Sequence, residues 1–227
     1  MAKHRSLRVK ALIIDLDGTI VDIAEPCIEA AREASYVLRL RNIEPRIGLE
    51  IAKKLQSNLP LEEVFPKFGI DEESGKEFLQ AFLNAWYSIA PRKTTSLPMV
   101  RTTLQKLSED FQMALVTRRN MPKKLIIQEL ERLRLDGYFS LILTSQDVEE
   151  PKPSPQAFAK AAEQLGVPIC DCAVIGDAIM DIQAGKSAGA RTIAVLTGLF
   201  THEEMEQEKP DFIIKDISVL KDFLRTG

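Results

Sequence analysis

The chain has 227 residues, 45% of them hydrophobic, enough apolar content for one sizeable core or for a core with a smaller accessory domain. A formal net charge of −3 argues against a dedicated polyanion binder, whose footprint is basic, and the short start Lys3-His4-Arg5, with Arg8 and Lys10, reads as a solvated terminus rather than a nucleic-acid arm. No apolar run approaches the roughly 20 residues needed to cross a bilayer. The first run is broken by Asp15 and Asp17, so it is no signal-peptide core, and the expectation is a cytoplasmic protein with neither membrane nor nucleic acid as partner. Cys27, Cys170 and Cys172 fit neither a disulfide framework nor a zinc ligand set, which predicts reduced structural thiols.

Along the chain, Val9 to Leu16 is the first strong element, a continuous apolar run of the kind that marks a strand buried on both faces. From about Asp22 to Thr94 the pattern is helical, with candidates at Cys27–Leu40, Leu49–Leu55 and Glu77–Ile89. In the last of these, Phe78, Phe82 and Trp86 follow one another at i+4 steps, which reads as the core of a small helical bundle before a substrate pocket. Linkers are expected at Val21–Pro26 and Pro91–Pro98. Further strands follow at Met113–Thr117, Leu141–Thr144, Cys172–Gly176, Arg191–Val195 and Phe212–Ile214. Helical stripes run through Ile126, Leu130 and Leu133, and through Phe158, Ala161, Ala162 and Leu165. Strands alternating with helices predict an α/β fold, a Rossmann-like doubly wound parallel sheet built from residues 1–21 and 95–227, with an inserted all-helical cap domain at 22–94.

Open α/β sheets bind ligands beyond the carboxyl ends of their strands, and the polar residues of note sit there. Asp15-Leu16-Asp17-Gly18-Thr19 ends the first strand, and two close carboxylates persist most easily around a hard cation. One can be nucleophile and metal ligand while the other works as acid and base; the competing reading is an ordinary Asp/Gly turn. Gly176-Asp177-Ala178-Ile179-Met180-Asp181 places a second acidic pair at i, i+4 on an opening helix, and oxygen ligands alone suggest Mg²⁺ before zinc. Lys152, between Pro151 and Pro153, is held extended as a cation suited to phosphate, with Ser154 expected to cap the next helix and Pro155 at its first position. Thr117, with the turn after it, offers a hydroxyl and backbone N–H groups to phosphate oxygens.

Four segments in this order, Asp15-Leu16-Asp17-Gly18-Thr19, Val116-Thr117-Arg118, Lys152-Pro153 and Gly176 to Asp181, resemble the four motifs of the haloacid dehalogenase superfamily of phosphotransferases. The helical insertion looks like the cap of its phosphoglycolate phosphatase and β-phosphoglucomutase branch. The resemblance implies that Asp15 attacks phosphorus to form an aspartyl-phosphate, and that Asp17 protonates the leaving alcohol and then activates water. It implies Mg²⁺ held by Asp15, Asp17 through its carbonyl, Asp177 and Asp181. Thr117, Arg118, Lys152 and Gly18 then serve the phosphoryl group, and the partner is a small phosphorylated metabolite, the protein being a monomer or homodimer. Asp17 is the residue that the metal-free dehalogenase branch, which looks like D-x-x-G-T, lacks. Asp22-Ile23 departs from the branch's usual Asp-Ser or Asp-Thr, and the basic residues Arg32, Arg46, Lys53 and Lys54 read as solvated helix charges. A phosphatase is therefore expected, with a phosphomutase as the alternative and a non-catalytic phosphate-binding regulator behind both.

Overall fold

The computed structural model describes residues 6–227, so the basic start at Lys3, His4 and Arg5 lies outside the described residues. The chain divides into two compact units, one running to Val21 and again from Ser96 to Gly227, the other from Asp22 to Thr95.

In the larger unit, the first apolar run is two strands instead of one. Strand β1 (Leu7–Val9) ends at the exposed Lys10, and β2 (Ala11–Ile14) follows. Short strands β3 (Val21–Asp22) and β4 (Thr95–Ser96) mark the two crossings between units. The helices of the smaller unit are α1 (Ala24–Val37), α2 (Ile47–Gln56), α3 (Val64–Lys67) and α4 (Glu72–Lys93). Helix α4 begins five residues before the predicted start because Asp71 caps it, its carboxylate accepting the Ser74 N–H at 2.9 Å. Phe78 and Phe82 are buried, Trp86 is half-buried, and Phe65 packs edge-on against Phe78 with ring centroids 6.5 Å apart. The aromatic stripe is thus mostly bundle core.

Beyond β4, helix α5 (Val100–Ser108) is an element without a counterpart in the sequence reading, which assigned nothing between the linker at Pro91–Pro98 and the strand at Met113; Val100, Leu104 and Leu107 form its buried stripe. Then come β5 (Gln112–Val116), α6 (Lys123–Leu133), β6 (Leu141–Leu143), α7 (Gln156–Leu165), β7 (Cys172–Gly176), α8 (Ile179–Ala188), β8 (Arg191–Val195), α9 (His202–Gln207) and β9 (Phe212–Ile214). The chain closes with α10 (Leu220–Phe223) and β10 (Leu224–Thr226), the latter pairing parallel with β1.

The main sheet has the order β6-β5-β2-β7-β8-β9 and every pairing in it is parallel. Its centre is β2, whose four residues are wholly buried between β5 and β7, which explains a strand apolar on both faces. Ala157, Phe158, Ala161 and Ala162 of α7 pack on one side against Ala11, Ile13 and Val174. The result is a parallel sheet with helices against it, an α/β fold, in which three neighbouring strands, β5, β2 and β7, all deliver their carboxyl ends to one edge. No helix among the described residues is long and apolar enough to cross a membrane. None of the three cysteines forms a disulfide.

Candidate active site

The residue immediately after each of those three strands is polar: Thr117 after β5, Asp15 after β2 and Asp177 after β7. Ladder bonds carry on past the strand ends, from Asp15 N–H to the Ile175 carbonyl (2.9 Å) and from Thr117 N–H to the Leu143 carbonyl (2.9 Å). Sheet register therefore fixes where these side chains begin.

Asp15, Asp177 and Asp181 are buried, and each offers a carboxylate oxygen within 4.8 Å of the others. Lys152 reaches into this cluster. Its ammonium donates to Asp15, to Asp181 at 2.6 Å and to the Val116 carbonyl at 3.3 Å, and it lies 5.6 Å from the centre of the Phe158 ring. Burial works to lower the Lys152 pKa, but Asp15 and Asp181 outweigh it and hold the lysine above its ordinary value, so it is charged. Burial pushes the Asp15 carboxyl up to about 7, with Lys152 pulling it back and Asp181 and Asp17 adding to the rise. Asp177 is driven well above the ordinary range by burial and then by Asp15 and Asp181, against the Thr19 hydroxyl, which donates to its Oδ1 at 2.7 Å.

With all three carboxylates ionised, one lysine cation among them leaves an excess equal to the charge of one divalent ion. Asp177 Oδ2 is buried without a hydrogen-bond partner. All donors are oxygens. The cluster is therefore suited to a hard divalent cation.

Close packing sets Asp177. A Cβ on Gly18 would sit 2.2 Å from its Oδ2, and one on Gly198 only 1.8 Å away, so both positions require glycine. Gly18 also has φ of +83°, a left-handed conformation that L side chains rarely adopt. Its N–H donates to the Val21 carbonyl (2.8 Å) and its carbonyl accepts the Thr197 hydroxyl (2.6 Å). In this conformation Gly18 makes room for Asp177, with its amide already engaged.

Two expectations are corrected. Asp177 and Asp181 do not share a helix face: Ala178 between them is extended (φ −109°, ψ 149°), and α8 starts only at Ile179. The two carboxylates converge because the chain turns at Ala178, whose N–H donates to Asp181 Oδ2 at 3.1 Å. Pro155 is the N-cap residue of α7 and not its first helical one, and Ser154 Oγ accepts the Gln156 N–H at a long 3.4 Å.

Asp17 stands apart from the acidic cluster. Its carboxylate lies across the guanidinium of Arg119, which donates from Nε to Oδ2 (2.8 Å) and from Nη2 to Oδ1 (2.5 Å). The other edge of that guanidinium grips Glu129 of α6. Arg118, singled out from the sequence, is half-buried beside it.

Comparison with known proteins settles the family. The family model described as haloacid dehalogenase-like hydrolase matches residues 12–195. The chain belongs to this family. It is 28% identical over 221 residues, 93% of this chain and 92% of the relative, to a Caldanaerobacter subterraneus protein named "Putative pyrophosphatase PpaX". It is 29% identical over 219 residues to a phosphoglycolate phosphatase of Pseudomonas savastanoi, covering 93% of this chain and 78% of the relative. The fold of a haloacid dehalogenase-like hydrolase from Streptococcus pneumoniae superposes with a TM-score of 0.78 over 95% of this chain and 98% of that one, at 19% identity.

Within this hydrolase of the haloacid dehalogenase-like family, sequence reasoning missed Arg119, Glu129 and Gly198. A signal for one of them existed. Glu129 falls three residues after Ile126 and one before Leu130, on the buried stripe of α6, and a charge on an apolar face calls for a partner. Gly198 carried none, because its need arises from β7 packing beside the loop after β8.

Proposed function

We propose that this hydrolase is a Mg²⁺-dependent phosphatase that cleaves a small, phosphoglycolate-like phosphomonoester through an aspartyl-phosphate on Asp15. The observation that carries the reading is the buried Asp15–Lys152–Asp181 contact with Asp177 alongside, at the carboxyl ends of adjacent parallel strands. Asp15 attacks phosphorus in line, and the bond to the leaving oxygen breaks as that oxygen takes a proton from Asp17. Asp17 then removes a proton from water, whose oxygen attacks the same phosphorus and returns Asp15 as a carboxylate. Lys152 and the Thr117 hydroxyl hold the phosphoryl oxygens, where charge spreads in the transition state, with Arg118 and the Gly18 turn at the margin. Asp15, Asp177, Asp181 and the Asp17 carbonyl would hold Mg²⁺, which when bound supplies charge neutralisation for the phosphoryl oxygens and for the carboxylate cluster.

The relatives' names support a phosphate substrate, one phosphoglycolate phosphatase among them. The relative named as a pyrophosphatase supports a second substrate, inorganic pyrophosphate, because these core residues address only the transferred phosphoryl group. A panel of phosphomonoesters with pyrophosphate, ranked by kcat/KM with and without Mg²⁺, separates the two. Phosphate release from phosphoglycolate or a similar monoester that vanishes with chelator is the expected result. Interconversion of sugar phosphates without free phosphate would instead establish a mutase, and pyrophosphate as the best substrate would move the assignment.

Proton and metal compete for the same carboxylates. Between the ordinary carboxylate pKa and about 7 the folded metal-free protein holds protons on Asp15 that the unfolded chain has released. Its stability therefore falls as pH rises through that window. Saturating Mg²⁺ is expected to raise Tm by about 5–10 °C at pH 8 (a ligand at 100 times its Kd adds about 2.7 kcal/mol) and by much less at pH 5. Scanning calorimetry at the two pH values checks this, and a Mg²⁺ increment equal at both would contradict it.

A further inference from the structure

The buried ion group on the other side of Asp17 has no part in the chemistry described so far. Glu129 is 0% exposed and Arg119 3%. Burying two full charges costs desolvation that a well-packed apolar pair would avoid, so a buried ion pair is weak evidence for stability alone. The geometry is specific. Arg119 uses its fork twice, Nε and Nη2 towards Asp17 and Nη1 and Nη2 towards Glu129, so one rigid plane relates the two carboxylates. Glu129 is anchored by α6, on the same buried face as Ile126 and Leu130. Asp17, by contrast, sits in the turn after β2, and its side chain is 16% exposed. The Arg119 backbone N–H also donates to Thr117 Oγ1 at 3.2 Å, and its carbonyl accepts the Ser145 N–H at 3.4 Å, which ties the residue to the strand end that presents Thr117.

We propose that Arg119, seated on Glu129, is a positioning residue that holds the Asp17 carboxylate in the one orientation from which it exchanges protons with the leaving oxygen and with water. The inference rests on the phosphatase reading above. Arg119 uses one lone pair on each Asp17 oxygen, so each keeps another for proton transfer. Without the fork, the carboxylate is free to rotate about its side-chain torsions, and proton transfer loses the fixed geometry on which its rate depends.

Leaving groups of different basicity separate positioning from mere structure. An alkyl phosphate expels a strongly basic alkoxide and needs Asp17, whereas p-nitrophenyl phosphate expels a weakly basic phenolate and hardly needs it. Comparison by kcat/KM confines the reading to formation of the aspartyl-phosphate. Arg119→Lys keeps the charge but cannot span both carboxylates as a fork. We expect it to lower kcat/KM for glycerol phosphate roughly 10²-fold, while p-nitrophenyl phosphate changes by no more than about threefold. Glu129→Gln should shift both values in the same sense by less. The paired variant Arg119→Met with Glu129→Met leaves neither residue as an unpaired buried charge and carries the test should Arg119→Lys not fold. In an Asp17→Asn background, Arg119→Lys should cost nothing further. Equal losses on both esters, or a full additional loss in the Asp17→Asn background, would overturn the positioning role. A parent protein that releases phosphate from neither ester would overturn the phosphatase reading itself, and that result is visible before any variant is made.

Discussion

Asp15→Asn is expected to abolish turnover, lowering kcat by at least about a thousandfold, while leaving the fold intact. The amide has nearly the shape of the carboxylate but is no nucleophile toward phosphorus. Stability should move the other way. Burial raises the Asp15 pKa to about 7, so at pH 8 the parent carries an ionised carboxylate that the folded state disfavours relative to the unfolded chain. Lys152 keeps Asp181 as a partner at 2.6 Å after the substitution. In the absence of Mg²⁺ the variant should therefore melt at the same temperature as the parent or higher at pH 8. The difference should shrink steeply by pH 4 and disappear only below the ordinary carboxylate pKa of 3.8, where Asp15 is protonated in both states. Steady-state assays with p-nitrophenyl phosphate and Mg²⁺, paired with thermal melts at the two pH values, check both halves. A variant keeping more than about a tenth of the parent's kcat would remove Asp15 from the nucleophile's place.

The core of the fold was legible because its signals are local. Cys172–Gly176, Arg191–Val195 and Phe212–Ile214 are strands at the predicted residues, since short runs dominated by apolar and β-branched residues mark the strands of such a sheet. Lys10 was harder to read. It divides an apolar run into two strands that join different sheets, β2 in the main one and β1 with the last strand of the chain, a pairing that only the far terminus reveals. Helix α5 was hidden because its first residue follows Met99 in a left-handed conformation (φ 62°) with no side-chain cap to announce it.

For the site, sequence order placed Asp15, Thr117 and Asp177 at strand ends, and parallel registry brings those ends side by side. The family resemblance already implied different roles for the two aspartates; what was not legible is the cation that each carboxylate meets, Lys152 from the loop before α7 for Asp15 and Arg119 from the turn after β5 for Asp17. Two cations from different loops hold the two carboxylates of one short segment apart. On the phosphatase reading proposed above, that separation would leave one to act on phosphorus and the other to handle protons.

Lys152→Met is the second large effect, and it falls on stability and rate together. The lysine is 3% exposed and touches Asp15, Asp181 and the Val116 carbonyl. Its loss leaves Asp15, Asp177 and Asp181 facing one another with no lysine among them, and breaking a buried pair on one side typically costs about 3–5 kcal/mol. The cost must depend on pH. With Lys152 gone, nothing draws Asp15 back toward ionisation, so its folded-state pKa climbs further above the ordinary value. A raised carboxylate pKa means stability lost as pH rises through it, so the variant should be near the parent at pH 5 and fall furthest behind at pH 8. Urea denaturation at both pH values, without metal, measures that difference. Added Mg²⁺ should restore much of the stability at pH 8, because a divalent ion offsets two of the three negative charges left facing one another. It should not restore kcat, which we expect to remain down by about 10²–10³-fold, because the phosphoryl oxygens have lost a positioned donor. Full recovery of rate with metal would show that Lys152 serves only to neutralise the carboxylates. A pH-independent stability loss would show that the acidic cluster is not what the lysine holds together.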